Sequence, residues 1–274
     1  AFTLCVTFNL NAQEKAQNPF NGLKFRNIGP AFPSGRIADF AVNPKNNSEY
    51  YVGVASGNIW KTINSGTTWK PVFENYGSYS IGALKMDPNN TNVIWAGTGE
   101  NNHQRALGYG DGVYKSVDGG ETWQEVSSGL HKGDMGRVGL AVSPSDPTWV
   151  YAIVEARYDK GGVYLSTNRG ETWNKQGNYS TSGNYYQEIF CDPLNKKKVF
   201  VMDTYMHHSE DAGQTFKPTG ESHKHVDNHV IWIDPQNTDH WIVGCDGGIY
   251  ETFSHAKEWR FYDNLSNSQY YKVT

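Results

Sequence analysis

"KSVDGGETW", residues 115–123, decides how this chain folds. It sets a hydroxyl at Ser116, a carboxylate at Asp118, a glycine at Gly120, then Thr122 and Trp123. A short carboxylate or amide side chain folds back onto the N–H groups of its own turn. Glycine supplies a backbone angle that other residues reach only with strain. The flanking hydroxyls close the turn from both sides, and the tryptophan anchors it by burying a large ring. The stretch therefore reads as a self-satisfied hairpin turn between two strands. It is a folding device, with nothing arranged for chemistry.

The chain writes this turn repeatedly. "KTINSGTTW" (61–69) carries Thr62, Asn64, Gly66 and Trp69, and "LSTNRGETW" (165–173) carries Ser166, Asn168, Gly170 and Trp173. "HSEDAGQTF" (208–216) carries Ser209, Asp211, Gly213 and Phe216, and an eroded copy, "ETFSHAKEW", fills 251–259. The aromatic anchors at 69, 123, 173, 216 and 259 are 54, 50, 43 and 43 residues apart. A second marker keeps step: "AVNP", "KMDP", "AVSP", "FCDP" and "WIDP", ending at Pro44, Pro88, Pro144, Pro193 and Pro235. Each closes an apolar β-rich run and is followed by a polar turn and another apolar strand. The unit is four short antiparallel strands without helical period. Such units repeated radially are β-propeller blades.

The turns resemble the Asp-box (BNR) repeats of sialidases, sortilin-type receptors, xyloglucan-cleaving two-propeller glycosidases and photosystem II assembly-factor propellers. The phrases "FRNIGPAFPSGRIADFAVNP", "GRVGLAVSPSDP", "YYQEIFCDP", "HVDNHVIWIDP" and "GCDGGIYET" resemble large secreted bacterial BNR propellers of sortilin-like type, loosely labelled glycosyl hydrolases. The resemblance covers residues 20–274 and implies an all-β Asp-box propeller. Asp boxes serve propellers of many activities, so it says less about function.

The expected organisation is a signal-peptide remnant (1–12), a lead segment (13–34) and a partial propeller (35–274). Its blades are placed at 35–76, 77–130, 131–180, 181–222 and 223–265, with the start of a sixth at 266–274. "AFTLCVTFNLNAQ" (1–13) reads as the tail of an export signal, which implies a secreted, periplasmic or cell-surface protein. The plainer reading is an ordinary first strand. Five blades and a stub imply that the remaining blades lie in further sequence or in another chain.

A net charge of −4 gives no basic patch for nucleic acid. No apolar run reaches membrane-spanning length. Three cysteines make no disulfide framework; Cys191 and Cys245 read as buried free thiols. No cofactor is implied.

Propeller topology puts the Asp boxes on one rim. The turns between second and third strands, and the crossings between blades, lie on the other. Long loops point to the functional rim: "GTGENNHQRALGYGDG" (97–112), with Glu100, Asn101, His103, Arg105 and Asp111, and "EARYDKGG" (155–162). Arg36, Arg137, Gln187, His225, Asp227 and His229 stand at blade crossings on the same rim. These residues are expected to converge on one channel mouth, where arginines suit an anionic or sugar ligand. The plainer reading is that Arg36 and Arg137 pair with carboxylates and seal adjacent blades. His225, Asp227 and His229 alternate as metal ligands would, against contacts that merely position a loop; no metal site is assigned.

The resemblance also implies where catalytic residues would lie. "FRNIGP" (25–30) departs from the sialidase Phe/Tyr-Arg-Ile-Pro pattern at Asn27 and Gly29. "VASGNIW" (54–60) has Ala55 and Ser56 where the xyloglucan-cleaving enzymes carry an acid. Glu100 and Asp227 are the remaining candidates for a hydrolytic pair. Two functions follow. One is an extracytoplasmic binding or scaffold propeller for a protein, peptide or glycan. The other is a glycoside hydrolase acting on a polysaccharide, with acids partly outside these blades.

Overall fold

A computed structural model describes residues 36–100, 108–133, 135–182 and 186–265. The expected signal and lead segments, the start of a sixth blade, and Cys5 lie outside them.

The chain forms five four-stranded antiparallel blades in sequence order. Blade one is β1 (Ile37–Val42), β2 (Tyr50–Val54), β3 (Asn58–Thr62) and β4 (Lys70–Pro71). Blade two is β5 (Ile81–Met86), β6 (Ile94–Thr98), β7 (Val113–Ser116) and β8 (Gln124–Glu125). Blade three is β9 (Met135–Val142), β10 (Val150–Ala156), β11 (Gly162–Ser166) and β12 (Asn174–Gly177). Blade four is β13 (Glu188–Cys191), β14 (Val199–Met202), β15 (His207–Ser209) and β16 (Lys217–Pro218). Blade five is β17 (Asn228–Ile233), β18 (Trp241–Cys245), β19 (Gly248–Thr252) and β20 (Arg260–Phe261). One 3₁₀ turn, Tyr158–Lys160, departs from an all-strand reading and lies between β10 and β11.

Alternation along each strand gives every blade two faces. On blade one, Ala41 lies beside Tyr51 and turns toward blade two. On blade two, Leu84, Ala96 and Tyr114 are register partners and turn back toward blade one. An apolar cluster fills each of the four seams in this way. Large rings carry much of the burial: Tyr51, Trp95, Tyr151 and Phe200 are completely covered. They hold equivalent places in β2, β6, β10 and β14, so one apolar position per repeat builds one seam. Three of them also hydrogen-bond the next blade: Tyr51 Oη to Gly119 O at 2.6 Å, Trp95 Nε1 to Arg169 O at 3.2 Å and Tyr151 Oη to Lys196 O at 2.7 Å. Cys191 and Cys245 are free thiols, each only partly covered where full burial was expected. Burial raises both above the ordinary thiol range.

Candidate functional site

The two rims are built differently. On one rim, each Asp box is a closed hydrogen-bond circuit. The Ser116 hydroxyl accepts the Gly120 N–H at 2.8 Å and donates to Asp118 Oδ1 at 2.8 Å. Asp118 in turn accepts the Thr122 N–H at 2.9 Å and the Thr122 hydroxyl. The Thr62, Ser166 and Ser209 hydroxyls repeat the first step onto Gly66, Gly170 and Gly213. These four glycines have φ between 82° and 85°, where other residues are strained. Burial opposes ionisation, yet the hydrogen bonds from Thr122 and Ser116 outweigh it and hold Asp118 at about 2. Asp211 is held at about 2 in the same way by Thr215 and Ser209.

In blades two to five the aromatic anchor ties the box to the preceding blade. Trp173 Nε1 donates to Val126 O at 2.7 Å, and Trp259 Nε1 to Gly220 O at 3.1 Å. Phe216 lacks the N–H and stacks on Tyr179 instead, centroids 4.5 Å apart. The hydroxyl and the carboxylate or amide that define the box in each of blades one to four are thus engaged within the turn.

On the opposite rim, the charged residues expected at a channel mouth are held in seams. Arg36 is ion-paired with Glu100, joining blade one to blade two. Arg137 is buried, its side chain 7% exposed. It donates to Gly82 O at 2.9 Å and Tyr186 O at 3.1 Å, and pairs with Glu188. One guanidinium thus fastens blades two, three and four. Burial pushes the Glu188 carboxyl up, against the pull of Arg137 and Lys85. Arg137 is a closed clamp, while Arg36, still 36% exposed, is tied by its ion pair with Glu100.

Tyr186 donates to Asp227 Oδ1 at 2.8 Å and stacks on His229 at 5.7 Å. Burial and the neighbouring carboxylate push that phenol up to about 12. His229 Nε2 meets Asp246 Oδ1 at 2.9 Å, while His225 Nδ1 meets the Val226 carbonyl at 2.7 Å. His225, Asp227 and His229 therefore have separate partners. Among the described residues no three His, Cys, Asp or Glu side chains converge as metal ligands would. Gln187 is buried and brackets Thr181, whose hydroxyl donates to Gln187 Oε1 at 2.8 Å. Asp111 Oδ2 accepts the Ser78 N–H at 2.9 Å and the Tyr114 hydroxyl at 3.0 Å, pinning the long loop of blade two to the crossing that enters it. Asn101, His103 and Arg105 lie outside the described residues. Glu100 and Asp227 sit in different seams, between blades one and two and between blades four and five.

This rim exposes four tyrosines, alongside charged side chains such as Asp159 and Lys160. Tyr79 is 48% exposed, Tyr109 55%, Tyr158 94% and Tyr205 59%. Tyr79 lies in the crossing from β4 to β5. Tyr109, Tyr158 and Tyr205 lie between the second and third strands of blades two, three and four. All four connections share the rim away from the Asp boxes. The backbone beneath them is fixed: Tyr79 O accepts the Asn58 N–H at 2.9 Å, and Tyr109 O accepts the Ser78 hydroxyl. Sequence reading passed these residues over, because tyrosine is abundant and reads as core in a β-rich chain. The available signal was that each sits in a connection rather than a strand.

No family model matches the chain. The xyloglucanase Xgh74A of Acetivibrio thermocellus is 28% identical over 213 residues, which are 65% of this chain and 24% of that protein. The chain thus spans about a quarter of that relative's length. Among solved structures, an ancestral GH74 enzyme superimposes with a TM-score of 0.60 at 18% identity, over 85% of this chain and 32% of the other. YCF48 bound to D1 peptide gives 0.53 at 13% identity, over 86% and 69%. The chain is a β-propeller, similar over part of its length to a xyloglucanase in sequence and to a GH74 enzyme in fold. It shares its fold, at low identity, with the YCF48 propeller.

Proposed function

We propose that this chain holds a neutral polysaccharide of the xyloglucan class on the rim opposite its Asp boxes, as the substrate-binding part of a glycoside hydrolase. The observation that carries the reading is the set of four exposed tyrosines on that rim, Tyr79, Tyr109, Tyr158 and Tyr205. Four large rings on the connections of one rim are more than the single scattered apolar side chains that any surface carries. A phenol presents an apolar face for sugar C–H groups and a hydroxyl for their oxygens. The engaged state of Arg36 and Arg137 favours a neutral sugar over an anionic one. The similarity to a xyloglucanase supplies the substrate class.

Hydrolysis needs two carboxyl groups about 5–9.5 Å apart across the scissile bond. Glu100 and Asp227 are each committed to a seam partner, Arg36 and Tyr186. In this reading the hydrolytic carboxylates belong at least partly to blades other than these five. That commitment also favours a second reading, in which the same rim binds glycan without cleaving it. The reading goes with a protein outside the cytoplasm, as residues 1–12 read as an export signal would also have it.

The test is affinity electrophoresis of the full chain in xyloglucan-containing gels, with reducing-end release assayed in parallel. Retardation by xyloglucan, lost in Tyr109→Ala and Tyr205→Ala, is expected. Unretarded migration in xyloglucan contradicts the reading. Reducing-end release decides between its hydrolytic and binding forms.

A further inference from the structure

The seam between blades one and two closes its Asp-box end with two ion pairs. Lys61, on β3, meets Glu49 at 3.0 Å and donates to Gly119 O at 3.0 Å, its ammonium over the Tyr51 ring. Lys70, its register partner on β4, pairs with Glu121 of the next Asp box at 2.9 Å. Both cations have an anion.

The repeat carries each of these places into the seam between blades two and three. Tyr51, Lys61 and Lys70 are replaced by Trp95, Lys115 and Gln124, which are register partners in the same order. Glu121 is replaced by Glu171, and the place of Glu49 passes to Val93. The carbonyl that matches Gly119 O, that of Arg169, accepts the Trp95 indole N–H instead. Both ion pairs are thereby undone. Among the described residues the Lys115 ammonium keeps one partner, the fully covered Trp95 ring at 5.7 Å, and no cation lies within ion-pair reach of the Glu171 carboxylate. Burial lowers Lys115 below the ordinary lysine range, and Arg169 adds to this against the pull of Glu171 and Asp87. Beside these two charges lies a cavity of about 560 Å³, whose walls include Lys115, Thr122, Gln124, Ser128 and Glu171. Its volume is that of a small-molecule site, and it lies at the Asp-box end of the seam, away from the tyrosine-bearing rim.

We propose that this cavity is a second binding site, for a small zwitterion of the α-amino-acid type, its carboxylate on Lys115 and its ammonium on Glu171. One such molecule supplies both missing partners, as Glu49 and Lys70 do in the preceding seam. A ligand of single charge serves one pole and leaves the other unmatched. A neutral sugar offers neither pole a countercharge, and hydrogen bonds between charged groups are the stronger kind.

The test is isothermal titration of the full chain with the common L-amino acids, with acetate and methylammonium as singly charged controls. At least one amino acid should bind, and the controls should not. Lys115→Met and Glu171→Gln should each weaken that binding by about tenfold or more, the share of one charged hydrogen bond. Gln124→Lys copies Lys70 into this seam at an exposed position. It should pair with Glu171 and abolish binding with no loss of melting temperature. Unfolding curves establish that the variants fold, and the exposed positions 124 and 171 keep the test independent of Lys115. Retardation by xyloglucan should be the same in all three variants, since it belongs to the other rim. No heat with any amino acid overturns the proposal. So does binding that survives Gln124→Lys, or a control that binds as tightly as the amino acid.

Discussion

The indole N–H of Trp123 donates to the carbonyl of Val72 at 3.0 Å. The donor closes the Asp box of blade two, and the acceptor is the first residue beyond the last strand of blade one. A turn that looks local in sequence is therefore also a joint between blades. The backbone N–H of Trp123 strengthens the joint by donating to the Tyr76 hydroxyl at 3.0 Å.

Trp123→Phe keeps most of the ring and removes the donor, leaving the Val72 carbonyl without its indole partner. A cost of about 1–2 kcal/mol is expected, the range for stranding a buried polar group. Urea unfolding measures it. Blade four carries phenylalanine at this position, and Phe216 stacks on Tyr179; Trp123 packs edge-on against Phe73, centroids 5.4 Å apart, so the cost of Trp123→Phe is that of the lost hydrogen bond.

Asp118→Ala should cost about 1 kcal/mol, since it removes the acceptor for Thr122 and Ser116 on an exposed turn. Asp118→Asn should cost less, because Asn64 and Asn168 fill the same place and accept the same backbone N–H at 2.9 and 3.0 Å. The pH dependence follows from the depressed carboxyls. Asp118 and Asp211 titrate at about 2 in the folded chain, below the ordinary value of about 3.9. The unfolded chain therefore binds more protons in that window. Their contribution is present above about pH 4 and is lost as pH falls toward 2. Asp118→Asn should flatten the acid limb of stability against pH.

Arg137→Ala should destabilise by about 1.5–3 kcal/mol, because it removes the charged hydrogen-bond partner of the largely covered Glu188 and leaves Lys85 as its remaining cation. It also strands the Gly82 and Tyr186 carbonyls. Arg137→Lys should recover only part of this, since an ammonium cannot serve three separated acceptors in one plane. If Arg137 were held for ligand binding instead, Arg137→Ala would leave the unfolding midpoint unchanged.

The seam between blades four and five should weaken in mild acid. His255 packs against Trp241 at 4.6 Å and His208 at 6.1 Å, with Lys198 and Asp239 beside it. Burial lowers both histidines, and Lys198 adds to it, against the pull of Asp239 on His255 and of Glu210 on both. A lowered histidine favours the neutral form in the folded state. Its stabilisation is full above the ordinary value of about 6.5 and is lost as pH falls below it. His240 opposes this: its carboxylate partners Glu251 and Asp234 outweigh burial and raise it, so its contribution fades as pH rises. His255→Phe should narrow the difference in melting temperature between about pH 5 and about pH 7.5. An unchanged difference would remove His255 from the account.

The blades were legible because their signals are local. An Asp box is completed within nine residues, and alternation assigns each strand its faces. The fifth box was harder: Ala256 stands where glycine is expected, at φ 63°, and the Ser254 hydroxyl accepts the Glu258 N–H in place of a carboxylate. The seams were legible only as an alternative: Arg137 reads equally as a ligand-binding cation or as a clamp sealing adjacent blades until folding brings Gly82, Tyr186 and Glu188 to it. Equally, nothing in the composition separates Tyr158, almost fully exposed, from Tyr151, fully covered seven residues earlier. That distinction belongs to the topology, which sets one in a strand and the other in a connection.

The central claim is that one rim fastens the blades and the other receives a polysaccharide. Hydrogen–deuterium exchange of the full chain with and without a xyloglucan oligosaccharide tests it most directly. The account expects slowed exchange in the connections 76–80, 108–112, 157–161 and 203–206, with the Asp-box turns at 62–68, 116–122, 166–172 and 209–215 unchanged. Protection confined to the Asp-box turns, or none on the tyrosine-bearing rim at saturating oligosaccharide, would contradict it.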